Sequence, residues 1–123
     1  MIKGIGIDMT EVSRFERLVE AERFRTRVFT GAELALIGTG PLASERMAGN
    51  YAVKEALAKA LGCGLKGCPL DHVEVLRNGA GAPVVQAHGT VQEKLDALGV
   101  GNIWVTITHD GGMAAAVVVL EGD

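Results

Sequence analysis

Two carboxylates, an ammonium and an imidazole stand out in this chain for where they fall. Asp8 closes the run Gly4-Ile-Gly-Ile-Asp8, whose glycines let a ligand or another backbone come close. Glu55 and Lys59 are one helical turn apart. At about 100° per residue, Ala48, Ala52, Glu55 and Lys59 share a stripe about 60° wide. A Glu–Lys pair at this spacing is ordinarily a surface ion pair worth roughly a few tenths of a kcal/mol. The alanines set this one apart, because they leave space where a solvated face would carry longer polar side chains. Gly62-Cys-Gly64 and Gly67 follow, a loop whose N–H groups have little steric cover and could cradle phosphate oxygens. His109, at a strand end beside a tight turn, is placed to contact an anion or move a proton. Each feature alone has a structural explanation: a helix start, a surface pair, a helix cap, a strand-end histidine. Together they supply two carboxylates for a hard cation, a Lys and a His for phosphate charge, and a pliable loop. Mg²⁺ is commonly held by one or two carboxylates plus substrate phosphates, and phosphoryl-type transfer depends on that cation and on positioning.

The elements that must position these residues can be read from hydrophobic period. Ile5, Ile7 and Met9 alternate as in a half-buried strand ending at Asp8. Thr10 is placed to cap a first helix with Glu11 in its first turn and Val12, Phe15, Leu18 and Val19 on its apolar face. If that helix continues to residue 25, Arg14, Arg17 and Arg25 lie within about 80° of one another. Thr30-Gly-Ala-Glu33 reads as a capping box for a short second helix. A long central helix is predicted over Ser44–Leu61, with Gly62 as its stop and Val53, Leu57, Ala60 and Leu61 facing the core. Strands are predicted at His72–Arg77 and Val84–His88. Thr90-Val-Gln-Glu93 gives a second capping box, for a helix that Gly99 stops. Ile103, Val105 and Ile107 then lead through Asp110-Gly-Gly112 into an apolar last strand. The class is α+β with a mainly antiparallel sheet and a long central helix, one domain spanning 1–123.

Composition narrows the function. A 48% hydrophobic and 22% charged chain is globular, and 4% aromatics leave Val, Ile, Leu and Ala to build the core. Net charge of −3 argues against nucleic acid as a partner. Yet Arg14, Arg17, Arg23, Arg25 and Arg27 concentrate basic charge near the start. The sequence shows no signal peptide and no apolar run of membrane-spanning length, so a cytoplasmic protein without a membrane partner is expected. Cys63 and Cys68 fit reduced thiols. A zinc site built on them and His72 lacks an evident fourth ligand.

Taken in order, the motifs resemble those of holo-(acyl-carrier-protein) synthases, the short single-domain group of 4′-phosphopantetheinyl transferases. Gly4-Ile-Gly-Ile-Asp8 with Glu11 and Arg14 is similar to their N-terminal signature. Lys54-Glu-Ala-Leu-Ala-Lys59-Ala-Leu-Gly62 resembles their central-helix signature, the more specific of the two. Phe29-Thr30 with Glu33, and Thr106-Ile-Thr-His109-Asp110, match further elements. The resemblance covers nearly the whole chain. It implies the transferase fold and transfer of the 4′-phosphopantetheine arm of coenzyme A to a serine of acyl carrier protein. The catalytic set would be Asp8, Glu55, Lys59 and His109, with Mg²⁺ at Asp8 and Glu55. Lys59, His109 and Gly62, Cys63 and Gly64 would contact coenzyme A. Glu55 is the first candidate for the base and Lys59 the second. A homotrimer with active sites between subunits is also implied, as is a basic surface of Arg14, Arg17, Arg23, Phe24 and Arg27 facing the acidic helix of the carrier protein. Cys63 stands where Thr is usual, Tyr51 replaces a common Phe, and Gly81-Ala-Pro83 carries Ala where Lys or Arg is frequent. A non-catalytic coenzyme A or carrier-binding module is the alternative. Retention of Asp8, Glu55 and Lys59 together disfavours it.

Overall fold

A computed structural model of the chain describes residues 1–64 and 67–123. Strand β1 (Ile2–Glu11) is followed by a 3₁₀ turn (Val12–Arg14) and three short helices, α1 (Phe15–Leu18), α2 (Glu22–Val28) and α3 (Gly31–Ile37). The long helix α4 (Ala43–Leu61) comes next, then the hairpin β2 (Val73–Arg77) and β3 (Pro83–Ala87). Helix α5 (Gly89–Leu98) leads to β4 (Val100–Asp110) and β5 (Met113–Gly122). The sheet order is β1-β5-β4, antiparallel throughout, with β2 and β3 as a separate antiparallel pair. The expected α+β class and central helix are present. No described helix is long and apolar enough to cross a membrane.

Alternation along the sheet decides which face α4 covers. Ala114, Ala116, Val118 and Leu120 of β5 point to the helix and are buried. Ala52, Val53, Ala56, Leu57 and Ala60 meet them from α4, and Val73, Val75, Val91 and Leu95 complete that core. A second cluster gathers Phe15, Phe29, Ile37 and Met47 at the N-terminal end of α4. The helix and β1 approach so closely that a Cβ at Gly6 would collide with the carbonyl oxygen of Ala56, and one at Gly4 with that of Ala60. Those glycines therefore serve the approach of another backbone.

Several local expectations are corrected. Asp8 is not at a strand end: β1 runs on to Glu11, and Thr10 is a buried strand residue, not a cap. The first helix does not continue to residue 25. It breaks between α1 and α2, where Ala21 is extended. The reason lies in the aromatics. On one continuous helix Phe15 and Phe24 would point about 180° apart, whereas the break brings their ring centroids to 6.2 Å. Arg25 then turns inward, its Nη1 donating to the Val19 carbonyl at 2.7 Å. The Thr30 capping box is present in full. The expected box at Thr90 is not: α5 starts at Gly89, and Thr90 Oγ1 instead faces His72 Nδ1 at 3.1 Å. Cys63 and Cys68 are joined as a disulfide, not left as thiols. Their Cα atoms lie 6.2 Å apart, within bridging reach.

Candidate active site

The seam between β1 and α4 brings two of the predicted residues into contact, with a third on the same flank of α4. Asp8 points to the helix side of β1, paired across the sheet with Ala116 and, beyond it, Ile107. Lys59 Nζ donates to Asp8 Oδ1 at 3.2 Å and to the Ile7 carbonyl at 2.9 Å. The lysine therefore pairs across the seam with Asp8. Its side chain is 57% exposed and that of Asp8 17%. Such a half-exposed pair contributes under about 1 kcal/mol, so Lys59 can turn to an incoming phosphate at little cost.

Glu55 lies one turn before Lys59 on the same flank. Its Oε1 is buried and has no hydrogen-bond partner, alone in this among the described side chains. An ionised oxygen withdrawn from water without a donor is costly unless a cation or a proton meets it. With Asp8 it forms a hard-oxygen set that suits Mg²⁺. Among the described residues no three His, Cys, Asp or Glu side chains converge. The residues fit a Mg²⁺ completed by substrate phosphates rather than an all-protein cage. Ala48 and Ala52 do not leave open space as the sequence suggested. Both are fully buried because Phe15 and the sheet press on the helix there.

His109 is not brought to this seam within one chain. Its ring packs by Gly49, where an added Cβ would lie 3.3 Å from Nε2. Gly49 and Glu55 are about 120° apart around α4, so His109 occupies the opposite flank. The Gly62–Gly64 loop is partly committed. Gly62 N–H donates to Lys59 O and Cys63 N–H to Ala58 O, each at 3.0 Å, a Schellman cap at left-handed Gly62. Gly64 beyond them is exposed.

On the α1–α2 surface Arg14, Arg17, Arg23 and Arg27 are exposed. Phe24 turns inward, its centroid 5.9 Å from Phe29 and 6.1 Å from Tyr51. The Arg14 guanidinium lies 5.2 Å from the Tyr51 centroid, a stacking contact that residue spacing does not foretell. Burial first, and the neighbouring Glu55 charge second, push the Tyr51 phenol above its usual range, keeping it protonated near neutral pH.

Sequence reasoning also missed a buried ion pair. Lys54 Nζ donates to Glu33 Oε1 at 2.7 Å, and both side chains are fully buried. Lys54 also donates to the carbonyls of Leu70 and Val73, and Asn50 donates to Glu33 Oε2 at 3.2 Å. Burial raises the Glu33 pKa and lowers that of Lys54, each against the pull of its partner. The only sequence signal was the Thr30 box, which places Glu33 but not its lysine.

Comparison with known proteins identifies the family. The chain matches the family described as the 4′-phosphopantetheinyl transferase superfamily over residues 4–117. A holo-[acyl-carrier-protein] synthase of Solidesulfovibrio magneticus is 43% identical over 125 residues, spanning 99% of this chain and 100% of its own. One of Treponema pallidum is 36% identical over 123 residues, spanning 100% and 98%. The crystal structure of the Neisseria meningitidis holo-[acyl-carrier-protein] synthase superposes with a TM-score of 0.87 at 27% identity, covering 98% of this chain and 99% of that one. The Helicobacter pylori enzyme in complex with coenzyme A gives 0.83 at 31%, covering 95% and 99%. The chain thus belongs to the 4′-phosphopantetheinyl transferase superfamily and, within it, to the enzyme family of holo-[acyl-carrier-protein] synthases.

Proposed function

We propose that this chain transfers the 4′-phosphopantetheine arm of coenzyme A to a serine of an apo acyl carrier protein, with Mg²⁺, releasing adenosine 3′,5′-bisphosphate in the cytoplasm. The observation that carries this reading is the orphaned Glu55 Oε1 beside the Asp8–Lys59 pair. It provides an unmet hard oxygen, a second carboxylate and a mobile ammonium on one seam. Asp8 and Glu55 would hold Mg²⁺, which supplies charge neutralisation at the coenzyme A pyrophosphate. Lys59 exchanges its weak contact with Asp8 for a phosphate oxygen and steadies the charge that develops as the pyrophosphate bridge breaks. The serine oxygen bonds to the phosphorus bearing the pantetheine arm, and the bond to the adenosine bisphosphate oxygen breaks. The serine proton passes to Glu55. Lys59 is the second choice of base, since its contacts serve Asp8 and then the substrate phosphate. Arg14, Arg17, Arg23 and Arg27 face the acidic carrier helix, with Phe24 supporting that surface from within.

The sheet supports a reading of the assembly. The face of β1-β5-β4 turned away from α4 carries exposed Ile5, Ile7, Met9 and Trp104, in cross-strand rows with Val117 and Val119. We read this apolar face as the interface of a homotrimer. In such an assembly His109, on the far flank of its own α4, would serve a neighbour's seam.

Incubating the protein with coenzyme A, Mg²⁺ and an apo carrier, then weighing the carrier, tests the reading. The carrier should gain the mass of one phosphopantetheine arm. Asp8→Ala and Glu55→Ala should abolish the gain while circular dichroism and melting stay near wild type. Near-normal transfer by either variant at low Mg²⁺ would misplace the site. Binding of coenzyme A without any mass gain would leave a binding module.

A further inference from the structure

Cys63 and Cys68 stand in unlike surroundings. Cys63 is half-buried between exposed Gly62 and Gly64, with open space at the Cβ positions of both glycines. Its N–H donates to the Ala58 carbonyl in the cap of α4, one turn beyond Lys59. Cys68 is 1% exposed and belongs to the core with Val73 and Val91. The bridge between them therefore ties the rim of the site to the core. Two further contacts draw the segment tight. Gly67 N–H donates to the Gly64 carbonyl at 3.0 Å. A Cβ on Gly67 would sit 3.1 Å from that of Cys63 and 3.9 Å from Lys94 Nζ. In a reducing cytoplasm a disulfide is rare, and where present it is usually transient and catalytic or redox-sensing. We propose that Cys63 and Cys68 form a reversible thiol–disulfide modification site, which a small-molecule disulfide closes and whose closure stiffens the Gly62–Gly64 phosphate cradle. This rests on the transferase reading, which assigns that cradle to coenzyme A, and adds a control to it.

Exposure sets the order of events. Attack on an incoming disulfide, R–S–S–R, falls to Cys63, since Cys68 is out of its reach. The Cys63 sulfur bonds to one sulfur of the reagent, R–SH leaves, and a mixed disulfide results. Cys68 then attacks the Cys63 sulfur and a second R–SH leaves, the two Cα atoms standing 6.2 Å apart, within bridging reach. The cysteines lose two electrons, the reagent gains them, and the two thiol protons end on the two R–SH. A cradle fixed before its ligand arrives loses less freedom on binding. Coenzyme A and adenosine 3′,5′-bisphosphate share the adenosine phosphates, so the bridge should tighten both. It should lower KM for coenzyme A and leave the transfer rate at saturation unchanged, as uniform binding does.

Wild type equilibrated with reduced or with oxidised glutathione, then freed of it, provides the two forms. Alkylation and mass should show two free thiols in the first, and none in the second with no glutathione retained. Adenosine 3′,5′-bisphosphate brings no thiol of its own. Calorimetry with it and Mg²⁺ should give about tenfold tighter binding to the bridged form, reversed on reduction. Cys68→Val, kept reduced, should bind as reduced wild type does, and in oxidised glutathione it should trap one glutathione on Cys63. Cys63→Ser should trap none, because Cys68 is buried. Should Cys68→Val fold poorly, the two wild-type affinities decide alone. Thiols that persist in oxidised glutathione, equal affinities, or weaker binding by the bridged form overturn the proposal. Glutathione trapped on Cys63→Ser overturns the order of attack. An affinity that follows the bridge in a protein that never modifies a carrier would sink the transferase reading and keep the modification site. A protein that transfers while its affinity ignores the bridge would do the reverse.

Discussion

Lys54 and Lys59 sit on one helix, five positions apart, and the fold treats them oppositely. Lys59 keeps 57% of its side chain in solvent and holds Asp8 loosely. Lys54 has none, and its ammonium is shared among Glu33 and two carbonyls. Breaking a buried pair by removing one partner leaves an uncompensated charge and costs about 3–5 kcal/mol. Lys54→Met should therefore destabilise by that order in chemical denaturation, while Lys59→Met should leave stability within about 0.5 kcal/mol. Adding Glu33→Leu to Lys54→Met should restore much of the loss, since no charge then stays buried. A Lys54→Met protein as stable as wild type would show that the pair is not held dry. At this scale the sequence was half legible. Asp8, Glu55 and Lys59 announced themselves by type and spacing, whereas the Glu33–Lys54 contact spans 21 positions and depends on how α3 lies against α4.

Among elements, the long-period signals survived, whereas of the two capping boxes only the one at Thr30 did. Central helix, hairpins and final strand were readable because many residues repeat one pattern. The stretch from Thr10 to Arg25 was misread because helical period alone could not show that Phe15 and Phe24 must share one cluster. Glycine placement gave a truer hint. The meeting of β1 and α4 through peptide atoms at Gly6 leaves no side chain to absorb an error. Gly6→Ala must push the helix away, at about 1–3 kcal/mol for overpacking. Because Asp8 and Lys59 stand on opposite sides of that seam, transfer should fall about a hundredfold, as for a misplacement near 1 Å. Gly31→Ala, with open space at its Cβ, should change neither stability nor rate. Steady-state kinetics and melting of the two variants decide the matter, and equal behaviour would remove the seam from the argument.

For the whole molecule, the sequence pointed to three copies only through family likeness, while the structure adds an exposed apolar outer sheet face. Sedimentation should give about three times the 12.9 kDa chain, and Ile7→Glu at the centre of that face should shift the protein towards monomer with loss of transfer. The position of His109, across α4 from Glu55, has a further consequence. If each reacting centre borrows its histidine from a neighbour, every chain owns halves of two different centres. Glu55→Gln and His109→Ala populations, each inert alone, should then complement one another when unfolded together and refolded as mixed assemblies. An intact centre arises wherever a chain with wild-type Glu55 sits beside one with wild-type His109, so activity should rise from nothing to a maximum near equal proportions. Mixtures that stay inert at every ratio would mean that both groups serve the centre of their own chain.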